Sequence, residues 1–159
     1  MVYFAIGFAI FVADLLTKIL AKTHLSELGS VPLLEGVFHL TYVENRGAAF
    51  GMMQGRGLFF VVVALLFVAV AIWVSVKIKN KPPLLNLGIS FMTAGALGNM
   101  VDRILSGYVV DFFDFALINF PVFNVADIFV CLGAGALAVF FVFFEEKWRK
   151  EQKGEKDSD

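Results

Sequence analysis

Four long apolar stretches dominate this chain: Val2 to Ala21, Leu58 to Val76, Leu84 to Val101, and Val125 to Phe144. As helices rising about 1.5 Å per residue, each is long enough to cross about 30 Å of hydrocarbon. The middle two carry no charge, whereas the first carries Asp14 and Lys18 and the fourth carries Asp127. Polarity is confined to particular helices, and an acid placed where lipid should be is a functional question. Between the first two spans, residues 31 to 44 include the alternating run Val37-Phe38-His39-Leu40-Thr41-Tyr42-Val43. That alternation predicts strand pairing at the membrane surface, able to cradle an extended peptide through backbone hydrogen bonds. The run Asn45-Arg46-Gly47-Ala48-Ala49-Phe50-Gly51 joins small residues to a turn former. It allows close backbone approach or a simple re-entry turn, with Phe50, Met52 and Met53 placed to rest in lipid.

The predicted fold is therefore an all-α polytopic membrane protein, four transmembrane helices with a small extracytoplasmic β-rich cradle. Residues 1–144 read as a single intramembrane domain with a surface loop at 22–57, and residues 145–159 as a charged tail. The tail alternates both charge signs and loses apolar periodicity after Trp148, which predicts a short helical extension fraying into a solvated end.

Composition agrees with this class: 59% of the 159 residues are hydrophobic and 19 are Phe, far from the balance of a soluble domain. The first stretch lacks a basic segment before it and a small-residue cleavage site after it, so it is expected to stay attached. Cys131, the only cysteine, lies in the fourth span, which excludes an internal disulfide and predicts a small buried hydrophobe. Net charge is only −1, and the basic residues follow the predicted topology rather than forming a groove or patch, so no nucleic-acid partner is expected.

Orientation follows from those basic residues. Lys77, Lys79 and Lys81 lie between spans two and three, and Lys147, Arg149, Lys150, Lys153 and Lys156 fill the tail. Against these eight, only Lys18, Lys22, Arg46, Arg56 and Arg103 lie elsewhere, Lys18 within a span. The bias places both termini in the cytoplasm. Asp14 and Lys18 then occupy the outer half of span one, Asp102 and Arg103 the outer end of span three, Asp127 the outer start of span four, and Asp111 the outer link. Polar groups converge at one membrane face, near the headgroups, as a site requires.

Each polar residue also has a structural reading. Asp14 and Lys18, four apart in acid-first order, suit an ion pair on one helix face. Asn99, Asp102 and Arg103 share a face and can tie their helix to neighbours or headgroups. Asn124 can cap the fourth helix, with Asp127 three residues later favouring the positive end of its dipole. Small residues at Ala94 and Gly98, and at Gly133 to Gly135, permit close helix packing.

Five blocks occur in order: Asp14-x-x-Thr17-Lys18, Asn45-x-Gly47-Ala48-Ala49-Phe50-Gly51, Gly98-Asn99-x-x-Asp102-Arg103, Val110-Asp111-Phe112 and Phe123-Asn124-x-Ala126-Asp127. Together they resemble bacterial lipoprotein signal peptidase, or signal peptidase II, over nearly the whole chain except the tail. The resemblance implies an intramembrane aspartic endopeptidase of the bacterial inner membrane that cleaves prolipoproteins just before a lipid-modified cysteine. It places the catalytic acids on Asp111 and Asp127, and matches Asp14, Lys18, Asn45, Gly47, Asn99, Asp102, Arg103, Asn124 and Ala126 to substrate-binding or supporting positions. It implies lipid-modified prolipoproteins and membrane lipids as partners; two-carboxylate chemistry requires no metal or cofactor, and four spans can form a complete site, so a monomer is expected. The neighbouring Asp114 is the one acid that residue chemistry alone does not separate from Asp111.

The chemistry fits two close carboxylates, which cannot both ionise cheaply: one keeps a proton while the other acts as a base. Other classes fit less well. A proton-coupled carrier would show an internal repeat or a Pro-broken helix pair, and a scaffold needs no acids in its spans. A metalloprotease would need more than His24 and His39, which form no His-Glu-x-x-His motif. Ser26 and Ser30 lack a partner for serine chemistry, because Lys18 looks committed to Asp14.

Overall fold

The computed structural model describes residues 1–48, 52–78 and 80–156. Helices α1 (Val2–Leu25), α2 (Gly57–Lys77) and α3 (Pro83–Ser106) are each long and apolar enough to cross a membrane. A fourth such rod runs from Val125 to Gln152. It is built from α4 (Val125–Val139), a π-helical turn over Phe140–Phe144, and the polar α5 (Glu145–Lys156). In the π turn the Glu145 N–H reaches back five residues to the Phe140 carbonyl. All four predicted spans are present, but α1 and α3 continue four and five residues beyond their predicted ends, Ala21 and Val101. Backbone hydrogen bonding carries a helix through Lys22 or Asp102 as readily as through Leu. α3 begins at Pro83, where a missing N–H costs nothing. It stops at Gly107, whose φ of 79° is the left-handed cap that glycine takes without steric cost.

α3 is the central helix, touching α1, α2 and α4. Its contact with α4 is close because glycine faces glycine: a side chain at Gly88 would strike Leu137 and the Gly133 carbonyl, and one at Gly133 would strike Met92 and the Gly88 carbonyl. Gly135, predicted to share in this packing, faces open space instead. Cys131 corrects another expectation, being exposed on the surface of α4 rather than buried. An apolar run does not reveal which helix face meets lipid and which meets protein. Among the described residues α2 packs chiefly on α3, with Ala71 its one buried residue.

Three strands form an antiparallel sheet in the order β1 (Ser30–Leu34), β2 (Phe38–Asn45), β3 (Val109–Asp114). The first two are the predicted cradle. The sequence places Asp111 in the outer link between spans three and four; residues 109–114 of that link form a strand joined to β2, with Val43 opposite Asp111 and Asn45 opposite Val109. The far edge of β3 is closed by Phe123, whose carbonyl accepts from Phe112 and Phe113 at 3.0 and 2.8 Å. Val110 and Phe112, which alternation places on one face, bury against Ala21 and Leu25 of α1. Held on both edges and packed below, β3 ties the helix ends together. Ala49, Phe50 and Gly51 of the proposed re-entry turn lie outside the described residues, as does Lys79. The close approach expected at Gly47 is present, since a Cβ there would fall on the Met52 carbonyl, and Met52 and Met53 are exposed.

Candidate active site

Asp111 reaches its place through β3, and Asp127 through the first turn of α4. Both are set by Asn124. In extended conformation at the N-cap, Asn124 accepts the Asp127 N–H on Oδ1 at 3.0 Å and donates its own N–H to Asp127 Oδ2 at 3.2 Å. This reciprocal box satisfies two helix-terminal donors and locks the Asp127 rotamer. The remaining Asn124 group, Nδ2, donates to Asp111 Oδ1 at 2.6 Å. Phe123, by pairing with β3, brings Asn124 alongside Asp111. The role of Phe123 went unseen in the sequence, though the extended segment from Pro121 to the cap was its available signal.

The other oxygens are held as firmly. Asp111 Oδ2 accepts from Asn45 Nδ2 at 2.9 Å, and Asp127 Oδ1 accepts from Asn99 Nδ2 at 2.8 Å. Asn45 lies diagonally across the strand pair from Asp111, two positions beyond Val43, within reach on a shared face. Asn99 is oriented by Lys18, whose Nζ donates to Asn99 Oδ1 at 2.8 Å. Asn124 Nδ2 donates to the same oxygen at 3.2 Å, and the two donors on the carbonyl end leave the NH2 end for Asp127.

Lys18 also contacts Asp14 Oδ2 at 2.8 Å and Asp102 Oδ2 at 3.3 Å. The predicted Asp14–Lys18 pair exists, but as part of a buried triad spanning α1 and α3. Asp14, fully buried, accepts the Ala126 N–H on Oδ1 at 2.8 Å, which docks the first turn of α4 on α1. Asp102 accepts the Val110 N–H at 3.1 Å and fastens β3 to the end of α3. Gly98 leaves room for the Asp14 carboxylate, which a Cβ would overlap.

Arg103 donates to the Asn99 carbonyl at 3.2 Å and to the Gly47 carbonyl at 3.1 Å, while the Gly47 N–H donates to Asn45 Oδ1 at 2.9 Å. Its guanidinium also rests on the Phe60 ring. Phe60 was not singled out among the 19 phenylalanines, and nothing in its local sequence marks it. Every predicted site residue, Asp14, Lys18, Asn45, Gly47, Asn99, Asp102, Arg103, Asp111, Asn124, Ala126 and Asp127, therefore joins one connected network. Asp114 does not. It accepts from Thr41 Oγ1 at 2.7 Å, opposite His39, and shares no hydrogen-bond partner with the two acids.

Asp111 is 2% exposed. Burial, with Asp127 as the neighbouring charge, pushes its carboxyl from an ordinary value near 3.8 to about 7, against the opposing pull of Asn45, Asn124 and Lys18. Such a carboxyl can keep its proton near neutral pH.

The model of the signal peptidase (SPase) II family matches residues 6–143 of this chain. A lipoprotein signal peptidase of Clostridioides difficile is 42% identical over 149 residues, covering 94% of this chain and 100% of that protein. One from Caldanaerobacter subterraneus subsp. tengcongensis is 45% identical over 139 residues, covering 87% and 93%. A bacterial membrane enzyme solved by the in meso method at 2.3 Å resolution superposes with a TM-score of 0.82 at 28% identity, covering 89% of this chain and 87% of that one. With fold and sequence matched over most of the chain, this membrane protein belongs to the signal peptidase II family.

Proposed function

We propose that the chain is an aspartic endopeptidase that removes signal peptides from prolipoproteins, cutting just before a diacylglyceryl-modified cysteine. The observation that carries this reading is the pairing of Asp111 and Asp127 through one asparagine, with Asp111 buried and inclined to hold a proton near pH 7.

Asp127 takes a proton from water as the oxygen adds to the scissile carbonyl carbon, and Asp111 gives its proton to the carbonyl oxygen. The C–N bond then breaks as Asp127 passes the captured proton to the amine. Asp111 recovers a proton from the hydroxyl that becomes the new carbonyl, which restores the starting state. Asn99 and Asn45 keep each acid aimed while its charge changes. Lys18 and Arg103, with Asp127, Asp111 and Asp102 in electrostatic reach of Arg103, limit the negative charge gathered in a water-poor place.

Residues 1–144 act as the peptidase unit in the bacterial inner membrane, with both termini cytoplasmic and the dyad near the outer headgroups. The signal helix and the acyl chains both partition into lipid, delivering the scissile bond at that depth. The edge of the three-stranded sheet offers backbone groups to an extended peptide. The chain works as a monomer, because one copy supplies every member of the network.

The test is cleavage of a lipid-modified prolipoprotein by purified protein, comparing wild type with Asp111→Asn, Asp127→Asn and Asp114→Asn after a folding check. Loss in the first two with activity in the third is expected. Wild-type turnover by either Asp111→Asn or Asp127→Asn would overturn the dyad, and an inactive wild type would overturn the peptidase reading.

A further inference from the structure

Phe60 stands in the first turn of α2, outside all five sequence blocks. The Arg103 Cζ lies 4.8 Å from its ring centroid, and both side chains are half-buried. Among the described residues, the hydrogen bonds of this guanidinium run to the carbonyls of Asn99 and Gly47 and not to a carboxylate. Yet Asp127, Asp111 and Asp102 are all in its electrostatic reach. A long, flexible cation among three acids needs a holder to stay on two carbonyls, and a planar guanidinium stacks well on an aromatic face.

The position of the ring matters as much as its chemistry. The loop leaving β2 begins near Gly47 and ends at α2, so one arginine touches the loop's entry at Gly47 and its exit at Phe60. From Gly47 the contacts continue through its N–H to Asn45 Oδ1 at 2.9 Å, and from Asn45 Nδ2 to Asp111 Oδ2 at 2.9 Å. Among the described residues α2 packs chiefly on α3, and this stack connects it to the site.

We propose that Phe60 is a positioning residue of this site: by holding the Arg103 guanidinium against the Gly47 carbonyl, its ring fixes the grip of Asn45 on Asp111. The inference deepens the aspartic-peptidase reading and rests on it. Loosening the stack lets Gly47 and Asn45 drift, which misaligns Asp111 in catalysis more than it disturbs substrate capture. It also weakens a hydrogen bond that favours the ionised Asp111, so the alkaline limb of the rate profile moves to higher pH.

The test replaces Phe60 in the full chain with mono-, di- and trifluorinated phenylalanine, which drain the ring face of negative potential at nearly constant size. Phe60→Tyr and Phe60→Leu accompany the series, and cleavage of a lipid-modified prolipoprotein is followed in vesicles. Stepwise loss of kcat to about tenfold at the trifluoro ring is expected, with KM nearly unchanged, Phe60→Tyr within about twofold of wild type, and the series flat in an Arg103→Gln background. A flat series in the wild-type background overturns the proposal even if Phe60→Leu is slow, since bulk would then suffice. Asp111→Asn, assayed alongside, separates the two levels. If it is inactive while the fluorinated series is flat, only the role of Phe60 falls; if it cleaves at the wild-type rate, the dyad falls and takes this proposal with it.

Discussion

Asn124 donates to Asp111 over 2.6 Å with one end of its amide while the other end caps the helix that carries Asp127. Fold and site are therefore joined in one side chain. Asn124→Ala removes an N-cap worth about 1 kcal/mol and a charge-assisted hydrogen bond worth about 1.5–3 kcal/mol. Losing a positioned donor beside a reacting acid is expected to lower kcat about 100-fold with a smaller change in KM. Asn124→Asp keeps the cap but sets a third acid against the pair, so it should hold the melting temperature closer to wild type and still be slow. Thermal unfolding and steady-state kinetics on the same samples check both. A variant that melts early yet turns over normally would remove the bridge from catalysis.

The side above neutrality carries a second prediction. With Asp111 raised to about 7, it loses its proton as pH rises through neutrality, and with it the group proposed to protonate the carbonyl oxygen. The kcat/KM profile should fall about tenfold per pH unit above that point. Asn45 donates to Asp111 and so favours its ionised form; deleting that donor leaves the proton more tightly held. The alkaline limb of Asn45→Ala should accordingly shift to higher pH. A limb that stays in place would show that another group sets it.

Lys18 stands between two buried or half-buried acids and orients a third partner, Asn99. Lys18→Met strands Asp14, fully buried, without its cation, which costs about 3–5 kcal/mol. The double variant Asp14→Asn, Lys18→Met removes both charges and should recover much of that stability. It should not recover the rate fully, since Asn99 loses the shorter and charged of the two donors, Lys18 and Asn124, that aim its amide toward Asp127. Denaturant unfolding and turnover in a double-mutant cycle would separate the two effects, and full recovery of rate would refute the orienting role.

What the sequence made legible follows what the membrane demands locally. Lipid requires long uninterrupted apolar helices, so the spans could be read directly, and only their ends were short because α1 and α3 continue into polar residues until a serine or a glycine stop. β2 was legible as the alternation from Val37 to Val43, and β1 only as its expected pairing partner within residues 31 to 44. β3 was not, although Val109-Val110-Asp111-Phe112-Phe113 is a β-branched and aromatic run, because its partners β2 and Phe123 are remote or irregular and pairing is a non-local choice. The Asp14–Lys18 contact could be read from a four-residue spacing. Its extension to Asp102 and Asn99 crosses between helices and depends on glycine-mediated packing that no single segment announces. Cys131 and Phe60 mark the same limit: within an apolar helix, the chain does not state which neighbour each side chain meets.

Gly98 offers the most direct test of that packing. A methyl group there would overlap the Asp14 carboxylate, which cannot retreat because Lys18 and the Ala126 N–H hold both of its oxygens. Gly98→Ala must therefore part α3 from α1 or break one of those bonds. Overpacking of this kind costs about 1–3 kcal/mol, and displacement of a fully buried acid adds to it. Turnover should fall further than stability, because the Ala126 contact sets the first turn of α4 and with it Asp127. Gly135→Ala meets nothing within 4 Å and serves as the matched control in the same lipid. Equal melting temperatures and equal rates for the two variants would mean that α1 and α3 do not approach as closely around Asp14 as the structure has them.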